Sequence, residues 1–230
     1  MPQGNLNLGK LHPAPSLKEM ALSIIKEAVL AKKLEPEKMY TEAALTKEMG
    51  ISRTPVREAL IHLASRGMIV YHPRKGFKIR CMTEKDVRDL FELRLALELT
   101  VIRHITPNLT EESRAEIEKA WDRYRKTVQT GDPVGFIHAN RNFHIYLAQL
   151  TENSYLINAL DEIRDLTDLA GVRSLEVDSR TLEATEEHGR IIAELKRQSM
   201  DGALRQMEAH IRTTEERVLA GIRKIQPPSE

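Results

Sequence analysis

Apolar positions recur every three to four residues along most of this chain, and two short stretches break the rhythm. From Leu17 to Ala31, Leu17, Ala21, Ile24, Ile25 and Ala28 fall on one stripe, which predicts an amphipathic helix. A short helix follows over about 41–49, with Thr41 at its N-cap. Gly50-Ile51 then turn the chain into a third helix that Ser52 caps. It buries Val56, Leu60 and Leu63 and ends near Gly67. Met68–Tyr71 and Phe77–Arg80 read as short strands, joined by the basic turn His72-Pro73-Arg74-Lys75-Gly76. Three helices and a small basic hairpin describe a winged helix-turn-helix.

Beyond residue 80 the rhythm is helical throughout. Helices are predicted over about 83–106, 110–129, 132–150, 153–174, 180–198 and 201–225. Thr83 opens the first through a Thr-Glu-Lys-Asp box, and Pro107 stops it. The fold class expected is mainly α. An N-terminal winged helix-turn-helix with a β-hairpin wing precedes an antiparallel bundle of six or seven helices. The expected limits are a flexible arm over 1–15, the winged domain over 16–80, the all-helical domain over 81–226 and a tail over 227–230, which Pro227-Pro228 marks as frayed.

Charge divides the same way. The chain carries 35 Lys or Arg against 34 Asp or Glu, for a net of +1. Residues 1–80 hold 14 basic and 7 acidic residues (+7), and the rest hold 21 and 27 (−6). A basic front and an acidic back fit a nucleic-acid-binding domain joined to one with another task. Arg53 and Arg57 lie one turn apart near a helix N-terminus, where guanidinium groups suit phosphates and guanine edges. Cys81 is the single cysteine, so no intramolecular disulfide forms and a reducing cytoplasm is expected. No apolar run approaches the ~18 residues that span a bilayer, so no membrane partner is expected.

The stretch Ser52-Arg53-Thr54-Pro55-Val56-Arg57-Glu58-Ala59-Leu60, with Arg74-Lys75-Gly76 downstream, resembles the winged-helix domain of the GntR family of bacterial transcription regulators. The resemblance covers residues 16–80. It implies that Arg53, Thr54 and Arg57 contact operator bases and phosphates, with Lys75 and Gly76 on the wing. Thr41 and Ser52, at the starts of the two helices, complete the candidate DNA-contact set. Many relatives carry an arginine in the second helix where this chain has Ala43, which points to a different operator sequence. Asp89–Glu98, Phe143-His144 and two later histidines resemble the ligand-sensing C-terminal domain of the FadR subfamily, also called the FCD domain.

Polar residues on apolar stripes carry the second domain's candidate chemistry. Asn140 and His144 share a stripe with Phe136, Ile137, Phe143 and Leu147. His188 shares one with Leu182, Thr185, Ile192 and Leu195, and His210 with Ala203, Met207 and Thr214. A lone inward histidine is usually a hydrogen-bonded core residue. Three on three helices each need a partner, and one divalent transition metal satisfies all of them. Metal-binding members of the FadR subfamily have an aspartate-x-x-x-histidine pair on this helix plus two more histidines. His144, His188 and His210 match those positions, and Asn140 stands at the aspartate. The expected metal set is Asn140, His144, His188 and His210, with zinc or nickel as the ion.

Arg94 lies on the stripe of Val87, Leu90, Phe91, Leu97 and Val101. Two readings remain open: an ion pair with Glu98 four residues on, or, by the resemblance, an effector-pocket arginine that holds a carboxylate. The resulting expectation is a bacterial, cytoplasmic homodimer, on the nucleoid when bound, that binds double-stranded operator DNA and represses a catabolic or transport operon. A small organic or sugar acid releases it. A metal-dependent enzyme and a regulator with a vestigial pocket are the alternatives. The first lacks a His-Glu-x-x-His motif, so no enzyme activity is expected.

Overall fold

The computed structural model describes residues 15–174 and 177–225, the side chains of 173–180 and 225 excepted. The tail expected over 227–230, and all but the last residue of the arm expected over 1–15, lie outside the described residues. The winged part contains α1 (Leu17–Leu30), α2 (Glu42–Met49), α3 (Arg53–Ser65), β1 (Ile69–His72) and β2 (Gly76–Ile79). The helical part contains α4 (Glu84–Ile105), a 3-10 turn over Thr106–Asn108, α5 (Glu111–Val128), α6 (Pro133–Gln149), α7 (Ser154–Ser174), α8 (Val177–Lys196) and α9 (Met200–Ile225). The fold is mainly helical, with one two-stranded antiparallel sheet among the described residues.

Local chemistry sets the helix starts. Thr41 Oγ1 accepts from Ala44 N–H at 3.2 Å at the start of α2. At α4, Thr83 Oγ1 accepts from Asp86 N–H while the Asp86 carboxylate accepts from Thr83 N–H, a reciprocal cap. Ser52 occupies the N-cap of α3 with extended backbone, but its side chain makes no capping bond. That corrects the expectation that Ser52 caps this helix: the backbone takes the N-cap conformation without the side-chain bond.

Packing chose between two apolar faces of α1. Leu17 and Ile24, expected inside, are 52% and 49% exposed, while Ala21, Ile25 and Val29 are buried against Val56, Leu60 and Leu63 of α3. Both faces of α1 carry apolar residues at helical spacing, so periodicity did not decide which one α3 covers. Leu182, placed on the His188 stripe, is 70% exposed for the same reason, and Ala184 and Ile191 are buried instead.

The wing runs antiparallel, with Ile69 opposite Ile79 and His72 opposite Gly76. Met68, expected in the strand, lies between α3 and β1: its N–H closes on Leu63 O at 3.0 Å and its carbonyl accepts from Arg80 N–H at 3.0 Å. The Tyr40 backbone joins the hairpin through two hydrogen bonds with Phe77, at 2.9 and 2.8 Å. Gly76 sits at φ +126, and a Cβ there would lie 1.9 Å from Tyr40 O, so the position admits only glycine.

Two cores result. One joins α1, α3 and the wing, and the other joins α4 to α9. The long helix α7 belongs to both: Leu156, Leu160 and Ile163 pack in the bundle, while the fully buried Leu169 packs in the winged core.

Candidate functional site

Five of the seven candidate DNA-contact residues line one cleft. Thr41, Glu42, Ala43, Arg53, Arg57, Arg74, Lys75 and Gly76 line it, between the starts of α2 and α3 and the turn of the wing. Ser52 and Thr54 flank it, and both are exposed. Sequence reasoning missed Glu42. Its carboxylate accepts from Arg57 Nε at 3.1 Å and Arg57 Nη2 at 2.9 Å, and from the Tyr71 hydroxyl of the wing. These donors, the Arg57 bonds first, hold the Glu42 carboxyl below its ordinary range. The pair fixes the Arg57 fork between α2, α3 and β1. Thr41 serves first as a cap, and Gly76 as the glycine that lets the wing approach Tyr40.

The three histidines meet at their Nε2 atoms. His188 Nε2 is 3.2 Å from His144 Nε2 and 3.3 Å from His210 Nε2, and the rings are at most 2% exposed. Nitrogens bound to a tetrahedral ion at about 2.1 Å stand about 3.4 Å apart, so the nest fits a divalent transition metal. Its outer partners fit as well. Glu98 Oε2 is 2.8 Å from His144 Nδ1, and Glu187 Oε2 is 2.6 Å from His210 Nδ1. Carboxylates on Nδ1 fix each ring and direct Nε2 inward. Burial first, then Arg164 and Arg94, push the His144 pKa well below its ordinary value, so the ring is neutral and its lone pair available. Phe143 and Tyr124 wall His188, with ring centroids at 4.4 and 5.1 Å.

Arg94 makes the ion pair with Glu98 that the four-residue spacing offered. It is 1% exposed, its Nε donates to Glu98 Oε1 at 3.2 Å, and its Nη2 lies 3.3 Å from His144 Nε2. It also lines a small, mostly apolar cleft with Asn140, Thr167, Asp168 and Thr214. Asn140, one turn before His144, is thus on the cleft side of the nest. Arg164 was missed, although it sits on an apolar helical stripe as Arg94 does. It is fully buried, 4.0 Å from Glu98 Oε1, and burial together with Arg94 lowers it to about 10. Two buried guanidinium groups beside one fully buried carboxylate leave this end of the nest rich in positive charge.

Comparison with known proteins agrees with both halves. Residues 17–79 match the model of bacterial regulatory proteins, gntR family, and residues 89–213 match the FCD domain. The HTH-type transcriptional regulator YdhC of Bacillus subtilis (strain 168) is 28% identical over 187 residues, covering 81% of this chain and 84% of that protein. The HTH-type transcriptional repressor RspR of Escherichia coli (strain K12) is 23% identical over 209 residues, 91% of this chain and 92% of its own. Among solved structures, a GntR-type transcriptional regulator from Rhodococcus sp. RHA1 superposes with a TM-score of 0.77 at 18% identity, covering 89% of this chain and 98% of that one. E. coli McbR/YncC gives 0.75 at 20% identity, covering 87% and 95%. These relatives are regulators rather than enzymes. The chain therefore belongs to the GntR family of bacterial regulatory proteins, as a DNA-binding transcriptional regulator whose winged helix is joined to an FCD domain.

Proposed function

We propose that this regulator is a homodimeric repressor whose grip on operator DNA is released by a small organic or sugar acid bound beside a metal in the helical domain. The observation that carries the reading is the buried Arg94 guanidinium, 3.3 Å from one of three convergent Nε2 atoms and facing a cleft. His144, His188 and His210 would hold zinc or nickel, with Asn140 as a neutral oxygen ligand in place of a carboxylate. When bound, such an ion supplies a Lewis-acidic centre with positions open to a carboxylate oxygen. Arg94 orients the carboxylate, and the apolar wall of Phe136, Ile137 and Val218 excludes water from it.

On the DNA side, Arg53, Thr54 and Arg57 read a half-site in the major groove, and Lys75 reaches the backbone from the wing. Two copies are required because one recognition helix reads only a short site, and two-fold operators mirror two-fold proteins. The site of action is the cytoplasm, at the nucleoid when DNA is bound. The test is metal analysis of the purified protein, then thermal shifts and operator binding across a panel of organic and sugar acids. A metal near one per chain, with one acid that both raises Tm and weakens operator binding, is expected. Metal-free protein that ignores every acid overturns the reading, as does consumption of the acid.

A further inference from the structure

The acidic face of α7 joins the ligand cleft to the recognition helix. Asp161, Glu162, Asp165 and Asp168 lie along it, and three cations from three helices converge there. Arg141 of α6 binds Asp168 Oδ2 at 3.0 Å, Asp165 Oδ1 at 2.9 Å and Asp161 Oδ1 at 2.7 Å. Lys26 of α1 places Nζ at 2.8 Å from both oxygens of Asp165. Arg66, the residue that ends α3, meets Glu162 at 2.9 Å, Asp161 at 3.4 Å and Asp165 at 3.6 Å.

Burial makes this junction more than a set of surface pairs. The Asp165 side chain is 1% exposed and that of Asp168 is 8% exposed. A carboxylate withdrawn from water this far is stable only while its cations stay in place. Burial opposes the charge of Arg141 too, yet Asp168 and Asp165 hold it above the ordinary arginine value. Asp165 therefore shares its charge between the helical domain, through Arg141, and the winged domain, through Lys26 and Arg66. Leu169, one turn beyond Asp165, is locked in the winged core, so a shift of α7 carries the winged domain with it.

The other end of the junction lies at the cleft. Asp168 lines it with Arg94 and Asn140, and Arg141 directly follows Asn140. We propose that Arg141 and Asp165 are positioning residues for DNA binding: they set the orientation of the recognition helix from the wall of the ligand cleft. An anion seated by Arg94 repels Asp168 and competes for its cation, which changes how Arg141 divides itself along α7. The part played by the anion rests on the proposed function. The positioning of the winged domain by Arg141 and Asp165 does not.

The experiment uses the full-length protein and an operator selected from random DNA. Spin labels on Lys47→Cys and Lys126→Cys, in a Cys81→Ser background diluted with unlabelled protein, report the distance between domains. Arg141→Met and Asp165→Asn are expected to broaden that distance distribution. They should also reduce discrimination between correct and altered half-site spacing on the order of tenfold. Zinc affinity should be unchanged, and Arg141→Lys should restore part of the discrimination. If Arg141→Met does not fold, Lys26→Met interrupts the same junction from the winged side, where the side chain is 25% exposed. An unchanged distance distribution and spacing preference in folded Arg141→Met or Lys26→Met overturns the proposal. Zinc and nickel titrations of the wild type separate the two readings. Failure to bind either ion sinks the metal reading, while the distance and spacing results still decide the junction.

Discussion

Arg57 is held by Glu42 before any DNA arrives, so its fork is aimed rather than searching. Arg57→Ala is expected to weaken operator binding roughly tenfold or more while Tm stays put, because the side chain is exposed. Operator affinity equal to wild type in that variant would unseat α3 as the recognition helix. In the nest, His188 is the residue both other imidazoles approach, so His188→Ala should abolish zinc binding by titration calorimetry. Retained stoichiometric zinc would move the site elsewhere. His144 also gives a pH dependence with a definite sign. Its folded pKa lies well below the ordinary 6.5, so the unfolded chain takes up a proton that the folded chain resists. Its contribution to stability is present above about pH 7 and is lost as pH falls through that range. The urea midpoint of metal-free protein should drop between about pH 7 and pH 5, and less so in His144→Asn. A midpoint that holds steady contradicts a buried neutral His144.

Among elements, the wing depends on one residue without a side chain. Gly76→Ala places a methyl against Tyr40 O at a backbone angle other residues rarely adopt, so a loss of about 2 kcal/mol or more is expected on thermal unfolding. Operator affinity should fall with it, since Arg74 and Lys75 are carried on that turn. The capping residue of α2 acts more mildly. Thr41→Ala removes the bond to Ala44 N–H, worth about 1 kcal/mol. A helix boundary is local chemistry, which is why Thr41, Thr83 and Pro107 were readable in the sequence. The covered face of α1 was not, because Leu17 and Ile24 are as apolar as Ala21 and Ile25, and only α3 distinguishes them.

Over the whole molecule, charge is divided between domains while the total is near zero. Operator binding should therefore weaken steeply with salt, and Lys75→Ala should reduce the log–log slope by about 1 without changing the preferred sequence. An unchanged slope would take Lys75 off the DNA backbone. No helix among the described residues is long and apolar enough to cross a membrane. The domain order and the split between winged and helical parts follow from periodicity and charge, and the recognition helix is legible in one nine-residue stretch.

The sequence by itself determined the helices, the hairpin, the two arginines one turn apart at the start of α3 and the three inward histidines, because each follows from local spacing or a short motif. The tertiary structure alone decided that the histidines meet through Nε2. It alone brought Glu98 and Glu187 onto their far nitrogens, and Glu42 onto Arg57. It also decided that α7 serves two cores and carries Asp165 between them. Those pairings join residues 15 to 139 positions apart, and a periodic pattern states which face of a helix is inside without stating what waits there.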